Sequence, residues 1–528
     1  MKKYLIFCII IFAQQSKSFT QSYTNVRQSL GYLATVYTAV LPTDSCLFVK
    51  GVMTDSTFLA GTFFAKFSLA GELIWKKEYK DSLHDCSSWR TKIARSKSGN
   101  FVFAGYNFDF QTNPAKLKCF VLEYDAAGVL IHSNTFKSPY QSPGKDFIAP
   151  ISMITLKSGG YLIGGNIDYY DPKGAFVAKL DDTLGLTWLK TLGGPYGDAC
   201  MSVAEASDGT LYAGGIETTG VIGQNLINRH VITAIDSTGQ EEIWRWAYPE
   251  ISIPQGGSWI RDMLILPDGS IIAATSVTKE EYVNAADNFV VNNPAMIKLN
   301  PDHTVAWINE MGNGVYENND IDLCRVVAAN DGDGYVAVSS KSGTAYQDTL
   351  TIAGQLGLIE KVSETGDSVW FRHLYHLTGG GDAPRHEIRD MTPAADHSGY
   401  WICGQAKKQL PDQVFQQGWL LFVDNYGCMV PNCQMVSSNQ EISLSDKILI
   451  YPNPASVSTA IYHGGYAFSK GRFRILDIQG SVIQEWAAPV DDLTTVIDLE
   501  KYSSGTYFLQ YVEQGEVKVS KQMVVVKK

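Results

Sequence analysis

From residue 34 onward, apolar residues alternate with polar ones in short bursts of five to nine, broken by Gly, Asp, Asn or Ser; a period of two bounded by turn residues predicts strands. The bursts repeat. FAKFSLAGELIW (64–75), VAKLDDTLGLTW (177–188), ITAIDSTGQEEIW (232–244), MIKLNPDHTVAW (296–307), LIEKVSETGDSVW (358–370) and the Trp-less VLEYDAAGVLIH (121–132) each read as strand, tight turn and strand. LLFVDNYGC (420–428) repeats the first strand and the turn but has no return strand. Upstream of each hairpin lies a second recurring piece, from DSCLFVKG (44–51) through SGNFVFAG (98–105), SGGYLIGG (158–165), DGTLYAGG (208–215), DGSIIAAT (268–275) and GDGYVAVS (332–339) to SGYWICG (398–404), with one more apolar strand before it. Every unit thus supplies four antiparallel strands. The turn positions Gly71, Gly128, Gly185, Gly239, Asp302, Gly366 and Gly427 fall 54 to 64 residues apart.

Four-stranded units repeated in this way predict an all-β chain with a seven-bladed β-propeller over residues 19–436. A β-solenoid is the competing architecture, but its repeats are normally shorter. Blade seven lacks its outer strand, whereas NVRQSLGY (25–32) looks like the outer-strand ends KTLGG (190–194) and INEMGNG (308–314). The N-terminus is therefore expected to complete blade seven and remove a free sheet edge. The recurring Trp75, Trp188, Trp244, Trp307 and Trp370 are better explained by packing between blades than as a ladder for sugars.

The two ends differ in character from the middle. MKKYLIFCIIIFAQQSKS has two lysines, an apolar run from Tyr4 to Ala13 and a small, polar exit, the form of a secretory signal peptide over residues 1–18. The run is well short of the ~20 residues that span a bilayer as a helix, and no other segment has that length. Cys8 lies inside the run rather than after it, against lipoprotein processing there. After Cys433 a polar linker, 437–447, leads to a tail, 448–528, whose alternation in FRILDI, VIQEW, TTVIDL, TYFLQYV and KQMVVVK predicts a small Ig-like β-sandwich. An ordinary fibronectin-like adhesion module is the bland alternative for this tail.

Composition and charge change the picture in three ways. Export places eight of the nine cysteines in an oxidising compartment; Cys428 and Cys433, flanking Pro431, are the expected disulfide, and the others are expected as buried thiols. The net charge of −11 makes nucleic acid an improbable partner. No GxSxG, HExxH, P-loop or complete EF-hand occurs. NDGDGY (330–335) places two carboxylates where calcium is conceivable, although Asp-Gly turns mostly close hairpins without metal, so no cofactor is assigned.

The loops joining strands two and three, and the crossings between blades, all emerge on one face of the disc. They are expected to be long and to carry the binding residues: Trp89, Tyr106, Asp109, Tyr169, Tyr170, Asp171, Tyr196, Trp259, Tyr282, Tyr316, Asp382 and His386. DAPRHEIRD (382–390) is the cluster with acid/base potential on this face, though a lone loop His is more often a surface hydrogen-bonding residue. Asp146, Asp198 and Asp320 recur just before a first strand, where a carboxylate most often accepts backbone N–H bonds. The expected activity is binding of a carbohydrate or a surface protein. The competing classes are a glycan-active hydrolase or lyase, for which paired carboxylates in one pocket would argue, and a purely structural surface protein.

The middle units resemble bacterial extracytoplasmic propeller repeats, in which Gly-Gly and a DG turn precede a hairpin of the form K-L-D-x-x-G-x-x-x-W; the resemblance speaks to architecture over roughly 30–430. The tail resembles the type A C-terminal sorting domain of the type IX secretion system, with Tyr451, Pro452, Asn453, Pro454 and Ala455 at the start, Leu476, Asp477 and Gly480 in the middle, Ile497 to Leu499, then Ser504, Gly505, Tyr507 and Phe508, and a Lys-rich last strand. That resemblance implies a partner, the type IX translocon, and a destination, the outer surface or medium of a Gram-negative bacterium reached through the periplasm, often with removal of the tail.

Overall fold

The computed structural model describes residues 23–81, 84–109, 116–137, 148–167, 174–193, 198–222, 225–248, 259–278, 292–311, 321–347, 350–377, 384–410, 413–430, 433, 448–451, 453–462, 471–488 and 494–527. Every regular element of note among them is a strand. After β1 (Asn25–Gln28), unit one comprises β2 to β5 (Ala34–Pro42, Cys46–Thr54, Ala60–Ser68, Leu73–Tyr79) and unit two β6 to β10 (His84–Ser87, Ala94–Arg95, Phe101–Asp109, Lys116–Tyr124, Leu130–Phe136). Units three and four are β11 to β14 (Ile148–Thr155, Tyr161–Ile167, Ala175–Leu180, Leu186–Leu192) and β15 to β18 (Ala199–Glu205, Leu211–Ile222, Asn225–Ile235, Glu242–Ala247). Units five and six are β19 to β22 (Asp262–Ile265, Ile271–Thr278, Asn292–Leu299, Val305–Glu310) and β23 to β26 (Ile321–Ala328, Tyr335–Gln347, Leu350–Val362, Ser368–Leu374). Unit seven supplies β27 to β29 (Arg385–Pro393, Gly399–Leu410, Gln413–Asp424).

Each unit is an antiparallel meander, and the first strand of each packs on its neighbours in chain order, with β27 returning to β2. β1 fills the vacant outer position of unit seven, pairing antiparallel with β29 from Asn25↔Leu421 to Gln28↔Gly418. Asn25 locks it there: its Oδ1 accepts from Trp419 Nε1 at 2.8 Å and lies 2.9 Å from His376 Nδ1, while its Nδ2 donates to Tyr375 O.

A second circuit runs along the outer hairpins, where a turn glycine with positive φ lets the chain pass close over an indole. A Cβ at Gly128, Gly239, Gly366 or Gly427 would fall within 3.0 Å of Trp75, Trp188, Trp307 or Trp370 of the preceding unit. His303 takes this place over Trp244, ring centroids 3.7 Å apart. Where unit two lacks the Trp, Asn134 Nδ2 instead donates to Leu184 O. Over Gly71 of unit one sits Val26 of β1, so the N-terminal strand completes the circuit.

Three connections differ from the expected long loops. In units four, six and seven, strands two and three run on as hairpins to two-residue connections, 223–224, 348–349 and 411–412, so their N–H and C=O groups pair with each other rather than with solvent.

The tail has two sheets, β30 (Leu449–Tyr451), β31 (Ser458–Tyr462) and β34 (Thr494–Asp498) against β32 (Gly471–Leu476), β33 (Val482–Ala487), β35 (Gly505–Glu513) and β36 (Glu516–Val525). They share one core, with Ile448, Ile461 and Ile497 meeting Phe473, Leu509, Tyr511 and Met523. Tyr23 links tail and propeller: its hydroxyl is 3.1 Å from Asp424, and its ring meets Phe422 and Tyr451 edge-on at 6.2 and 5.9 Å.

Candidate functional site

The first strands carry a bulge near their midpoint, at Thr38, Ile151, Met201, Cys324 and Arg389. In unit two the strand instead breaks between β6 and β7, and Ser88–Ile93 leave the sheet. This excursion turns toward the axis of the ring and is gripped from several sides. Lys92 Nζ bonds both oxygens of Asp262 of unit five at 2.8 and 3.0 Å, and Arg325 of unit six reaches the Arg90 carbonyl at 3.4 Å. Lys50 Nζ donates to Ser88 O at 2.6 Å and to Thr38 Oγ1 at 3.0 Å. Asp390 of unit seven pairs with Arg325 at 2.6 Å and accepts from Val40 N at 3.0 Å; Asp262 accepts in the same way from Val326 N. Lys50, the Lys92–Asp262 pair and Arg325, itself paired with Asp390, therefore tie the excursion into a network with units one, five, six and seven.

Buried charge of this kind is expensive unless every group is satisfied. Lys50 is fully buried, and desolvation pulls its ammonium down to about 7, opposed by the attraction of Asp390. The other units have Ala104, Gly164, Gly214, Ala274, Val338 or Cys403 at its place in the repeat, so the lysine stands out in the aligned segments.

Of the residues expected on the binding face, Trp89 belongs to the excursion and stacks under Arg389, whose Cζ is 5.4 Å from the ring centroid. Trp259, just before β19, packs on the cluster of Ala199, Met201 and Ile216 and lies under Arg261 at 4.3 Å. Tyr106 and Asp109 are on β8 rather than on a loop, because the ladder with β9 continues to Asp109↔Lys116; burial raises the Tyr106 phenol, and Asp109 faces His84 at 3.8 Å. Tyr169, Tyr170, Asp171, Tyr196, Tyr282, Tyr316 and Asp382 lie outside the described residues.

His386 corrects the expectation of a surface loop histidine. It is on β27 and fully buried, and its Nε2 accepts the N–H groups of His376 and Leu377 at 3.0 and 2.9 Å while Nδ1 bonds Gln355 O at 3.1 Å. Both ring nitrogens are thus committed to backbone, and desolvation drives its pKa down to about 4. Its neighbour Glu387 accepts from Gln405 Nε2 at 2.5 Å and pairs with Arg389.

Asp198 accepts the Thr218 N–H at 2.8 Å; Asp146 and Asp320 are outside the described residues. Asp331 of the NDGDGY turn pairs with Lys361 at 2.5 Å and accepts from Asp333 N. Among the described residues, no three His, Cys, Asp or Glu side chains gather as a metal site. A cavity between units three and four, bordered by Asp198, Cys200, Thr233 and Arg245, holds about 20 Å³, room for water but not for a sugar. Cys428 and Cys433 are joined, and Cys46, Cys86, Cys119, Cys200 and Cys403 are buried.

In the tail, each described landmark does a folding job. Asn453 clamps the last strand, donating from Nδ2 to Gln522 O at 2.8 Å and accepting from Val524 N at 2.7 Å, and Ala455 adds a parallel bridge to Val525. Pro454 lies between them, at a sheet margin where a missing N–H leaves no ladder bond unmade; Pro452 is outside the described residues. Asp477 caps its turn by accepting from Gln479 N and Ser481 N, with Gly480 at φ +83°. Gly505 opens β35, and Tyr507 donates to Ser503 O at 2.9 Å while packing edge-on to Tyr502.

Residues 449–526 match the family model described as a secretion system C-terminal sorting domain. No curated protein matches the chain. Among solved structures, the β-propeller domain of the Trilobed protease from Pyrococcus furiosus is similar over 75% of this chain and 98% of its own, at 8% identity and a TM-score of 0.37. A GH43 β-1,3-galactosidase covers 52% of this chain and 94% of its own (12% identity, TM-score 0.32), and Bacillus subtilis levansucrase 52% and 86% (10%, 0.31). Among the described residues no helix is long and apolar enough to cross a membrane. The family match and the landmarks coincide, and the tail is a type IX secretion system C-terminal sorting domain that directs a β-propeller through the periplasm to the cell surface or beyond it.

Proposed function

We propose that the exported propeller is a binding protein that recognises a carbohydrate through the face onto which the crossings and the two-to-three hairpins open. The observation that carries this reading is the division of labour around the axis. Lys92, Asp262, Arg325, Asp390 and Lys50 hold the excursion in place, and His386 holds backbone, so these groups serve the scaffold. Trp89, Trp259, Arg261 and Arg389 remain partly exposed, each indole lying under a guanidinium. Such residues supply contact area at small entropic cost. The test is a glycan array and a panel of bacterial surface proteins probed with the purified exported protein. Saturable binding to a sugar class supports the proposal. Capture of surface proteins alone transfers the role to protein recognition, and turnover of a bound glycan makes the chain an enzyme.

A further inference from the structure

Three of the tail landmarks are spent inside the tail, since Asn453, Asp477 and Tyr507 each bond within their own sandwich. Tyr451 is different. On β30 the preceding residue, Ile450, packs against the core of the sandwich, and because successive side chains of a strand point to opposite faces, Tyr451 faces outward. The outward row continues across the ladder through Ala460 to Val496, which is 64% exposed. At its own end of that row Tyr451 is only partly exposed, with its ring edge-on to Tyr23 of the propeller at 5.9 Å, and desolvation raises its phenol. The contact is therefore confined to one edge of the tail.

Tyr23 is placed by the joint between the last unit and the first. The carbonyl of Thr24, the next residue, accepts Phe422 N of β29 at 2.7 Å, while its Oγ1 donates to Leu69 O of unit one at 2.6 Å. The Tyr23 ring lies edge-on to Phe422, and its hydroxyl meets Asp424 Oδ2 at 3.1 Å. The other oxygen of Asp424 accepts from Tyr426 N and Cys428 N, which puts the Cys428–Cys433 disulfide at the same corner. Closing strand, disulfide and the seat of Tyr451 thus meet in one place. A tail tethered to that corner faces its seat at an effective concentration on the order of mM, so a small contact is enough to dock it.

We infer that Tyr451 is a docking residue that seats the sorting tail on the joint between units seven and one, so that the tail holds a fixed place only on a propeller whose ring has closed. This goes beyond the binding role proposed above and does not depend on it. An aromatic pair shifts an equilibrium by about two- to tenfold. The tail has the smaller core and is expected to unfold before the ring, so the contact is felt as stability of the tail. For export, the consequence is that open and closed propellers offer the same address with different freedom.

The experiment is amide hydrogen exchange on the full chain, read at the ladder between β32 and β35, in the sheet away from Tyr451. Tyr451→Ala is expected to speed exchange there by about two- to tenfold, and Tyr23→Ala to speed it by a similar factor. The double variant should be no faster than either, the signature of one shared contact. Tyr451→Phe keeps the ring and should exchange like the parent. A chain beginning at Tyr32, which lacks both Tyr23 and the closing strand, should match Tyr451→Ala. No change on Tyr451→Ala, effects of the two alanines that add, or a tail as well protected in the chain beginning at Tyr32 as in the parent would each overturn the inference.

Discussion

At the scale of single residues, polar side chains with unremarkable local sequence hold the most constrained positions. His386 is one. Its two accepted N–H bonds fix the chain just past β26, and burial keeps the ring neutral, with its pKa at about 4 against an ordinary 6.5. Below pH 6.5 the unfolded chain takes up a proton that the folded one refuses, so stability is complete above that pH and falls as pH drops toward 4. His376 and His230 are depressed for the same reason, to about 3 each. A glutamine at 386 offers an acceptor without a titrating proton. We expect His386→Gln to lose roughly 1–3 kcal/mol at pH 7.5 and to show a smaller further loss between pH 7.5 and 5 than the parent in urea unfolding. An equal loss in both proteins would contradict the assignment. Little of this was legible beforehand, since DAPRHEIRD has the composition of a loop and its burial depends on a crossing that the repeat pattern does not describe. Lys50, and the tetrapeptide Ile-Arg-Asp-Met that occurs at both 260–263 and 388–391, were legible in principle. A lysine among small residues at one repeat position, and an identical tetrapeptide in two units, both invite an axial partner.

At the scale of elements, the hairpin turns and the Trp positions could be read directly because each is set by a local rule: a positive φ at a turn glycine, and a period of two that puts one side of a strand against its neighbour. The extended hairpins of units four, six and seven were not readable in that way. A stretch such as SSKSGTAYQDTLTIAG is polar enough for a loop, and only the ladder from Tyr335↔Val362 to Gln347↔Leu350 reveals two paired strands. The excursion Ser88–Ile93 is similar, since SWRTKI alternates well enough to pass for a strand but is held by distant ion pairs instead. The N-terminal strand allows a sharp test. A chain beginning at Tyr32 loses the β1 ladder, leaves Trp419 Nε1 without Asn25 and uncovers Gly71. It is expected to lose several kcal/mol of a margin of about 5–15 kcal/mol and to aggregate through the bared edge of β29. A control chain beginning at Tyr23 should behave as the parent. If the variant starting at Tyr32 melts with the parent and stays monomeric, β1 is not the clasp and the count of seven units needs revision.

At the scale of the whole molecule, propeller and tail have separate cores, and the described contact between them runs through Tyr23 and Tyr451. With the tail gone, Tyr23 keeps its hydrogen bond to Asp424 and its packing on Phe422, so ring closure does not depend on the tail. The described landmarks are largely spent on building the tail: Asn453 holds β36, Asp477 closes a turn and Tyr507 is buried. What is presented outward is therefore the folded sandwich and its surface. An address carried by one folded body and a binding face carried by another can be separated by a single cut. The most direct measurement is fractionation of cells expressing the full chain and a chain ending at residue 447, with thermal melting of each recovered protein. The full chain should be found at the cell surface or in the medium, and the shortened chain in the periplasm, with the propeller transition unchanged. Shortened protein outside the cell, or a propeller that no longer folds, would contradict the division of the chain into cargo and address.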